Sequence, residues 1–223
     1  MKAMVLAAGR GERLRPLTER VPKPMVEAGG SALIDWHLRR LAAAGLRDAV
    51  INVSHLADQI VAHVGDGARY GMRVAWSRET EPLETAGGIA NARALLGEEP
   101  FLLVNSDIYC EVDFSPLKSL PLRSNRAHIV LVPNPLHHPE GDFTLESGMV
   151  GNGAAPRYTY AGVAVVSPSL VSGVNPGDKV PLGPLLRKAA GEGKLSGELF
   201  RGLWTDVGTA ERLAELRTLL AAR

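Results

Sequence analysis

Cysteine is almost absent: Cys110 stands alone in a chain of 223 residues. One thiol cannot close an intramolecular disulfide or build the multi-cysteine patterns of structural zinc, and it fits a reducing compartment. Cys110 is therefore read as a small buried thiol. Long apolar runs are missing as well, since none approaches the ~20 residues that span a bilayer. Glycine and charge arrive after only a few apolar positions, which is not the plan of a signal peptide. A cytoplasmic protein with no membrane partner is expected. Nor is there an excess of one charge: 25 Lys plus Arg face 24 Asp plus Glu. No global field draws the chain to nucleic acid or to an anionic surface, so any phosphate binding has to be local. Internal repeats, low-complexity segments and linker-like shifts in composition are also lacking.

What is there can bury one substantial core, and a single domain over residues 1–223 is expected. Short β-branched runs alternate with amphipathic stretches, the pattern of strands crossing over through helices. The spacing predicts strands over Ala3 to Ala8, Ala49 to Val53 and Met72 to Trp76, and another through "PFLLVNSD". Helices are predicted over Ser31 to Ala44, with Ser31 as cap and Gly45 as stop, and over His55 to Val64 and Ala86 to Leu96. In the second half "AHIVLV", "FTLESGMV" and "YTYAGVAVV" read as strands without clear intervening helices, and "NPLHHPEGD" as a loop. "VPLGPLLRKAAGEG" and "TAERLAELRTLLAAR" read as helices. The implied fold class is α/β, with a mixed, mainly parallel central sheet covered on both faces. In such sheets ligands bind outside the carboxyl ends of the strands, so residues that follow strands carry most interest.

The first of these segments is "MVLAAGRGERLRPLTERVPKPMV", Met4 to Val26. Its "GRGERL" is half a dinucleotide fingerprint: Leu14 stands where the third glycine belongs, and no Gly-Lys-Ser/Thr makes it a P-loop. Arg10, Arg13 and Arg15 follow at once, and Lys23 sits between prolines that restrict the chain around it. Freed backbone N–H groups beside guanidiniums suit a polyphosphate. A tight turn and a solvated cationic face are the plain alternatives. Nucleic acid is disfavoured because no aromatic stacking platform lies among the basic residues.

Two acids end strand-like segments, Asp107 in "FLLVNSD" and Asp206 in "FRGLWTDVGT". Each alone reads as a turn or capping residue. Brought to one rim, they would offer oxygen ligands to Mg²⁺, which takes its remaining ligands from water and phosphates. His137 and His138 read as a plain polar loop, and alanine at either is expected to do little. His37, His55, His63 and His128 fall in helix or strand patterns and read as structural. No Ser–His–Asp arrangement is evident. That suits a phosphate nucleophile, already dianionic at neutral pH with its second pKa near ~6, which needs no general base.

"LAAGRGERLRPLT…PKPM", "EPLETAGG", "VNSD" and "WTDVGT", in that order, resemble the signature of the sugar-1-phosphate nucleotidyltransferases. The resemblance implies a Rossmann-like three-layer sandwich of the nucleotide-diphospho-sugar transferase type. Its nucleotide-binding half would cover about 1–110, and its sugar-binding and C-terminal part about 111–223. It implies attack of a sugar 1-phosphate on the α-phosphate of an NTP, with Mg²⁺ as cofactor. Ala8, Gly9, Gly11, Glu12, Arg13 and Lys23 would meet the nucleotide, Glu81 to Gly88 the nucleobase, with Gly87 and Gly88 admitting it closely. Asp107 and Asp206 would bind the metal, and Arg13, Lys23, Asp107 and Asp206 would carry the chemistry. "EPLETAGG", "HHPEGDF" and "RYTYAGVAV" bear a narrower likeness to uridylyltransferases that use UTP and N-acetylmuramic acid 1-phosphate, as in bacterial cell-wall recycling. On that likeness Asp142, Tyr160 and Gly162 would contact the sugar; otherwise they are a loop acid and a close-packed strand. Mannose-1-phosphate guanylyltransferase and a non-catalytic nucleotide sensor are the rival readings. Two departures stand out. No Glu-Lys-Pro segment occurs between Ala127 and Ser167, so the cation it would give the acceptor phosphate must come from elsewhere, and Ser106 occupies a position that is often glycine. No acyltransferase or regulatory β-helix segment follows the last helix, which implies a stand-alone transferase.

Overall fold

The computed structural model describes residues 1–154 and 156–222. Three β/α steps and a fourth parallel strand come first: β1 (Ala3–Leu6), a two-residue ribbon of β2 (Glu27–Ala28) and β3 (Ser31–Ala32), α1 (Leu33–Ala43), β4 (Asp48–Val53), α2 (Ala57–Val64), β5 (Arg73–Arg78), α3 (Glu84–Asn91), α4 (Arg93–Leu96) and β6 (Phe101–Asn105). Then follow β7 (Ile108–Cys110), α5 (Phe114–Lys118), β8 (Ala127–Val132), β9 (Phe143–Glu146), β10 (Met149–Gly151) and β11 (Arg157–Val166). The last elements are α6 (Leu182–Gly191), β12 (Leu195–Leu199), β13 (Trp204–Asp206) and α7 (Ala210–Ala221). Nine strands form one sheet in the order β5-β4-β1-β6-β11-β8-β12-β10-β9. β5, β4, β1 and β6 run parallel, as do β8 and β12, while β11 runs against both β6 and β8.

Successive side chains on a strand point to opposite faces, and the core divides accordingly. Ala3 and Val5 of β1 join Leu102 and Val104 of β6 on one face, against Ile34, Leu38 and Leu41 of α1 and Ile60 of α2. Met4, Phe101 and Leu103 join Ile89 of α3 and Leu186 of α6 on the other. Each of these side chains larger than alanine, fully buried, stabilises the fold by roughly 1.5–3 kcal/mol, and the result is the helix–sheet–helix sandwich that the alternating pattern implied. A third cluster packs Leu213 and Leu216 of α7 against Leu14, Val26, Leu33, Tyr109 and Val207. Cys110 is buried, and burial pushes its thiol up to about 11, so it is inert as a nucleophile.

Local departures have local causes. Ser31 does not cap α1: it pairs with Ala28 in the β2–β3 ribbon, its hydroxyl accepts from Arg39, and α1 begins two residues later. Gly45, at φ 81°, does end that helix. The stretch Ala86 to Leu96 is two helices broken at Ala92, and "FTLESGMV" is a hairpin turned at Ser147 and Gly148. β7, β12, β13 and α5 are five residues or fewer, too short for periodicity to reveal. Among the described residues no helix is long and apolar enough to cross a membrane.

A buried polar network ties the carboxyl ends of the parallel strands. The Ala7 N–H donates to Asn52 Oδ1 at 2.9 Å, Asn52 Nδ2 donates to Glu79 Oε1 at 2.7 Å, and Glu79 Oε2 accepts from the Leu83 N–H at 3.1 Å. Burial pushes the Glu79 carboxyl above its ordinary value, and the bonds from Asn52 and Leu83 hold it back. Gly88 of α3 lies against this network: a Cβ there would meet Asn52 Nδ2 at 2.7 Å and Glu79 Oε1 at 2.9 Å. At the far side of α1, Asp35 is buried, with His63 Nε2 2.8 Å and Arg69 3.3 Å from its Oδ1 and the Tyr70 hydroxyl donating to the same oxygen. Burial raises the Asp35 carboxyl, but hydrogen bonds from Tyr70 and His63 and the nearby positive charge outweigh it and leave it lowered.

Two outcomes are expected. Gly88→Ala should lower stability by about 1–3 kcal/mol through overpacking, read as a lower urea midpoint at unchanged m-value. Asp35 has a folded pKa below its unfolded one, so its contribution is present above the unfolded value and is lost as pH falls through the folded value. Asp35→Asn should therefore cost about 1–3 kcal/mol at neutral pH. The gap to the parent protein should narrow in denaturation curves taken below the ordinary carboxylate value of 3.8.

Candidate active site

A cavity of 630 Å³ opens where β1, β4, β5 and β6 end. Its first wall is the glycine loop. Gly11 sits at φ 65°, and a Cβ there would meet Thr18 Cγ2 at 2.9 Å and Lys23 Cβ at 3.1 Å. Only glycine lets the loop fold back this tightly, and Thr18 Oγ1 secures it by donating to the Gly11 carbonyl at 2.8 Å. Lys23, in the Lys23–Met25 turn, is thereby pressed beneath the loop with its side chain 10% exposed, and its Nζ lies 2.6 Å from Asp107 Oδ2. Ala8, Gly9, Arg10, Gly11, Glu12 and Lys23 line the cavity. Arg13 does not: the turn Glu12–Leu14 buries Leu14 against α7, which leaves Arg13 exposed beside the opening.

Asp107 follows β6 and lines the same cavity. Asp206 comes to its side through the β7–β13 ribbon, where Asp206 pairs with Ile108 and the Val207 N–H donates to the Asp107 carbonyl at 2.8 Å. Buried His37 of α1 braces this ribbon, its Nε2–H donating to the Ile108 carbonyl at 2.8 Å; burial lowers the imidazole to about 4 and keeps it neutral. His55, His63 and His128 likewise make contacts away from Asp107 and Asp206, to the Thr18 carbonyl, Asp35 and Ser196.

His137 is not the bystander its sequence context implied. Its Nε2 lies 3.0 Å from Asp206 Oδ1, because the loop between β8 and β9 folds across the end of β13. Arg212 of α7, a residue the sequence reading missed, places Nη2 3.2 Å from Asp206 Oδ2. The only early clue to it was "WTDVGTAER": a Cβ at Gly208 would lie 1.9 Å from Arg212 Nη2, so that glycine makes room for the guanidinium. Both contacts lie within ion-pair distance but miss hydrogen-bond geometry, and Asp206 Oδ1 is buried without a hydrogen bond. Among the described residues no group of three His, Cys, Asp or Glu side chains converges as a metal site. Asp107, in the turn between β6 and β7, and Asp206, with its orphaned buried oxygen, fit a hard cation that draws its other ligands from water and phosphate.

The other wall is the segment after β5. Glu81, Pro82, Leu83, Glu84 and Thr85 line the cavity, but Gly87 and Gly88 do not. They were expected to admit a nucleobase; what approaches them is protein. A Cβ on Gly87 would lie 2.1 Å from the Asp178 carbonyl oxygen, and one on Gly88 would strike Asn52 and Glu79. The clamp is mutual: Ala86 and Gly87 N–H groups donate to the Val180 carbonyl, and Val180 N–H to that of Leu83. It carries Lys179, which the sequence reading did not single out, onto the cavity wall.

Asp142, Tyr160 and Gly162 do not line the cavity. Asp142 Oδ1 lies 3.1 Å from His138 Nε2 and its Oδ2 accepts the Tyr160 N–H at 2.8 Å, so both oxygens are engaged within the protein. The Tyr160 hydroxyl is buried without a partner, and burial pushes it above the ordinary tyrosine range. Gly162, at φ 77°, sits at the irregularity in β11, where a Cβ would meet Asn105 Nδ2 at 2.9 Å.

Residues 2–141 match the family model described as nucleotidyl transferase. An N-acetylmuramate alpha-1-phosphate uridylyltransferase of Neisseria meningitidis is 45% identical, covering 100% of this chain and 99% of its own length. One from Caulobacter vibrioides is 38% identical over 96% of each. More distant is a mannose-1-phosphate guanyltransferase beta-A of Xenopus laevis, 30% identical over 93% of this chain and 61% of the relative. The crystal structure of HddC from Yersinia pseudotuberculosis complexed with GMP-PN shares the fold, with a TM-score of 0.80 at 23% identity over 98% of both chains. A family match that spans the glycine loop and the first aspartate, and likeness to curated relatives from end to end, establish that this chain belongs to the nucleotidyl transferase family.

Proposed function

We propose that the protein transfers the uridylyl group of UTP to N-acetylmuramate 1-phosphate, forming the nucleotide sugar and pyrophosphate in the cytoplasm, as part of cell-wall sugar recovery. The observation that carries this reading is the juxtaposition of Lys23 and Asp107 in one cavity wall, in a chain similar along its whole length to uridylyltransferases of that name. A phosphate oxygen of the acceptor attacks the α-phosphorus of UTP. The bond from that phosphorus to the α–β bridging oxygen breaks, and pyrophosphate leaves with the electron pair. The attacking monoester is dianionic at neutral pH, so no side chain has to remove a proton. Alignment and charge neutralisation are what the protein must supply.

The loop of Ala8, Gly9, Gly11 and Glu12 receives the triphosphate, with Lys23 beneath it and Arg13 at the opening. Glu81 and its neighbours hold the uracil, while Gly87 and Gly88 serve by letting that segment pack on Asn52, Glu79 and Asp178. Asp107 and Asp206 would hold Mg²⁺, which when bound neutralises phosphate oxygens and aligns the two reactants. Lys179 supplies positive charge to the acceptor phosphate. Asp142, Tyr160 and Gly162 shape the acceptor end of the site through the His138 loop and β11.

Pyrophosphate release with UTP or GTP, each paired with N-acetylmuramate 1-phosphate and mannose 1-phosphate, tests the pairing. Turnover is expected with UTP and the first sugar, and a preference for GTP would overturn the assignment. Asp107→Asn and Asp206→Asn should each lower kcat by about 10²–10³ or more with unchanged circular dichroism. Near-parental kcat in either would refute the metal role.

A further inference from the structure

Every oxygen of Asp206 and one of Asp107 faces a basic nitrogen of the protein itself. Lys23 Nζ is 2.6 Å from Asp107 Oδ2, His137 Nε2 3.0 Å from Asp206 Oδ1, and Arg212 Nη2 3.2 Å from Asp206 Oδ2. Lys23 and Arg212 are nearly buried, at 10% and 11% side-chain exposure. A guanidinium is always charged, and an ammonium taken out of water needs an anion beside it. The two carboxylates are thus already neutralised by two full charges, with an imidazole on the remaining oxygen of Asp206. A bare dication reaching this pair has to compete with cations already in place on both carboxylates.

We propose that Lys23, Arg212 and His137 are resident counter-ions of the two aspartates in the nucleotide-free protein, so that a divalent metal is admitted only together with a triphosphate. The proposal rests on the reading of Asp107 and Asp206 as the metal pair. Lys23 is the hinge of the exchange, because it lines the cavity where the phosphates would lie. Phosphate oxygens offer Nζ a replacement for Asp107 without returning it to water, and Asp107 is released to the metal in the same event. His137 can withdraw from Asp206 because it stands on the loop between β8 and β9, beside the fully exposed tip residue Leu136. Its contact with Asp206 lacks hydrogen-bond geometry, which makes it a placeholder that little holds in place. Arg212 has no such freedom beneath Gly208 and remains on the other oxygen, fixing the carboxylate's orientation.

Mn²⁺ is the probe, with free Mn²⁺ read by electron paramagnetic resonance in titrations of the intact protein. The parental protein should bind Mn²⁺ weakly alone and at least about tenfold more tightly with a non-hydrolysable UTP analogue, after correction for metal held by free analogue; one charge near a dication is worth a factor of this order. Without nucleotide, Lys23→Met should bind Mn²⁺ about tenfold more tightly than the parent, and His137→Ala, on an exposed loop that does not threaten folding, roughly twofold or more. Equal affinity with and without the analogue, or no gain in either variant, overturns the counter-ion proposal. Asp107→Asn and Asp206→Asn separate this from the underlying reading. Mn²⁺ binding with the analogue that both variants leave untouched would overturn the metal pair itself, and this proposal with it.

Discussion

A buried lysine that must have an anion organises this molecule. Lys23 is pressed under the glycine loop, and Asp107 supplies its counter-charge at 2.6 Å. Three separate features of the chain serve that contact. Gly11 leaves the space that a Cβ would fill, the prolines on either side of Lys23 restrict the backbone that aims it, and β6 delivers Asp107 at its carboxyl end. An ammonium and a carboxylate at this distance in a half-enclosed cleft would be a poor bargain for stability alone, since desolvation offsets much of the attraction. The pair makes sense as a charge held ready for a ligand of opposite sign.

The same logic extends outward. Asn52 and Glu79 fasten β1, β4 and the segment after β5 at one level, so the wall bearing Glu81 to Thr85 is set relative to the glycine loop by hydrogen bonds and not by apolar packing alone. His37 does the equivalent for the ribbon that carries Asp206 and starts directly after Asp107, and its neutrality follows from burial. Networks of this type are high in cost if half-made and rigid if complete. Here the rigid part surrounds the region read as nucleotide-binding, whereas the His137–His138 loop rests on fewer and more exposed contacts.

How much of this could be read from the sequence follows from the range of each interaction. The alternation of β1, α1, β4, α2, β5, α3 and β6 was legible because each is a periodic segment with its own turn signals. Lys23 and Asp107 could be singled out as candidates because one sits between prolines and the other follows a strand within a short motif. Ser31 was misread because a two-residue ribbon, invisible to any window, claimed it before it could cap. Gly87 and Gly88 were read as places where a nucleobase comes close, whereas their near neighbours are protein: Asp178, far along the chain, at Gly87, and Asn52 and Glu79 at Gly88. His137, Arg212 and Lys179 escaped for the same reason: each is ordinary in its own neighbourhood and acquires meaning only from a residue that folding brings to it.

The third apolar cluster joins segments far apart in the sequence, with Leu14, Val26 and Leu33 on one side and Leu213 and Leu216 on the other. Contacts of such long sequence separation are slow to form, because the entropy of closing the intervening loop is lost before they repay it. During synthesis on the ribosome the parallel strands can therefore fold while Asp206 and Arg212 have yet to emerge. The Asp206–Arg212 pair thus joins the cleft only once α7 has docked on the first segments of the chain.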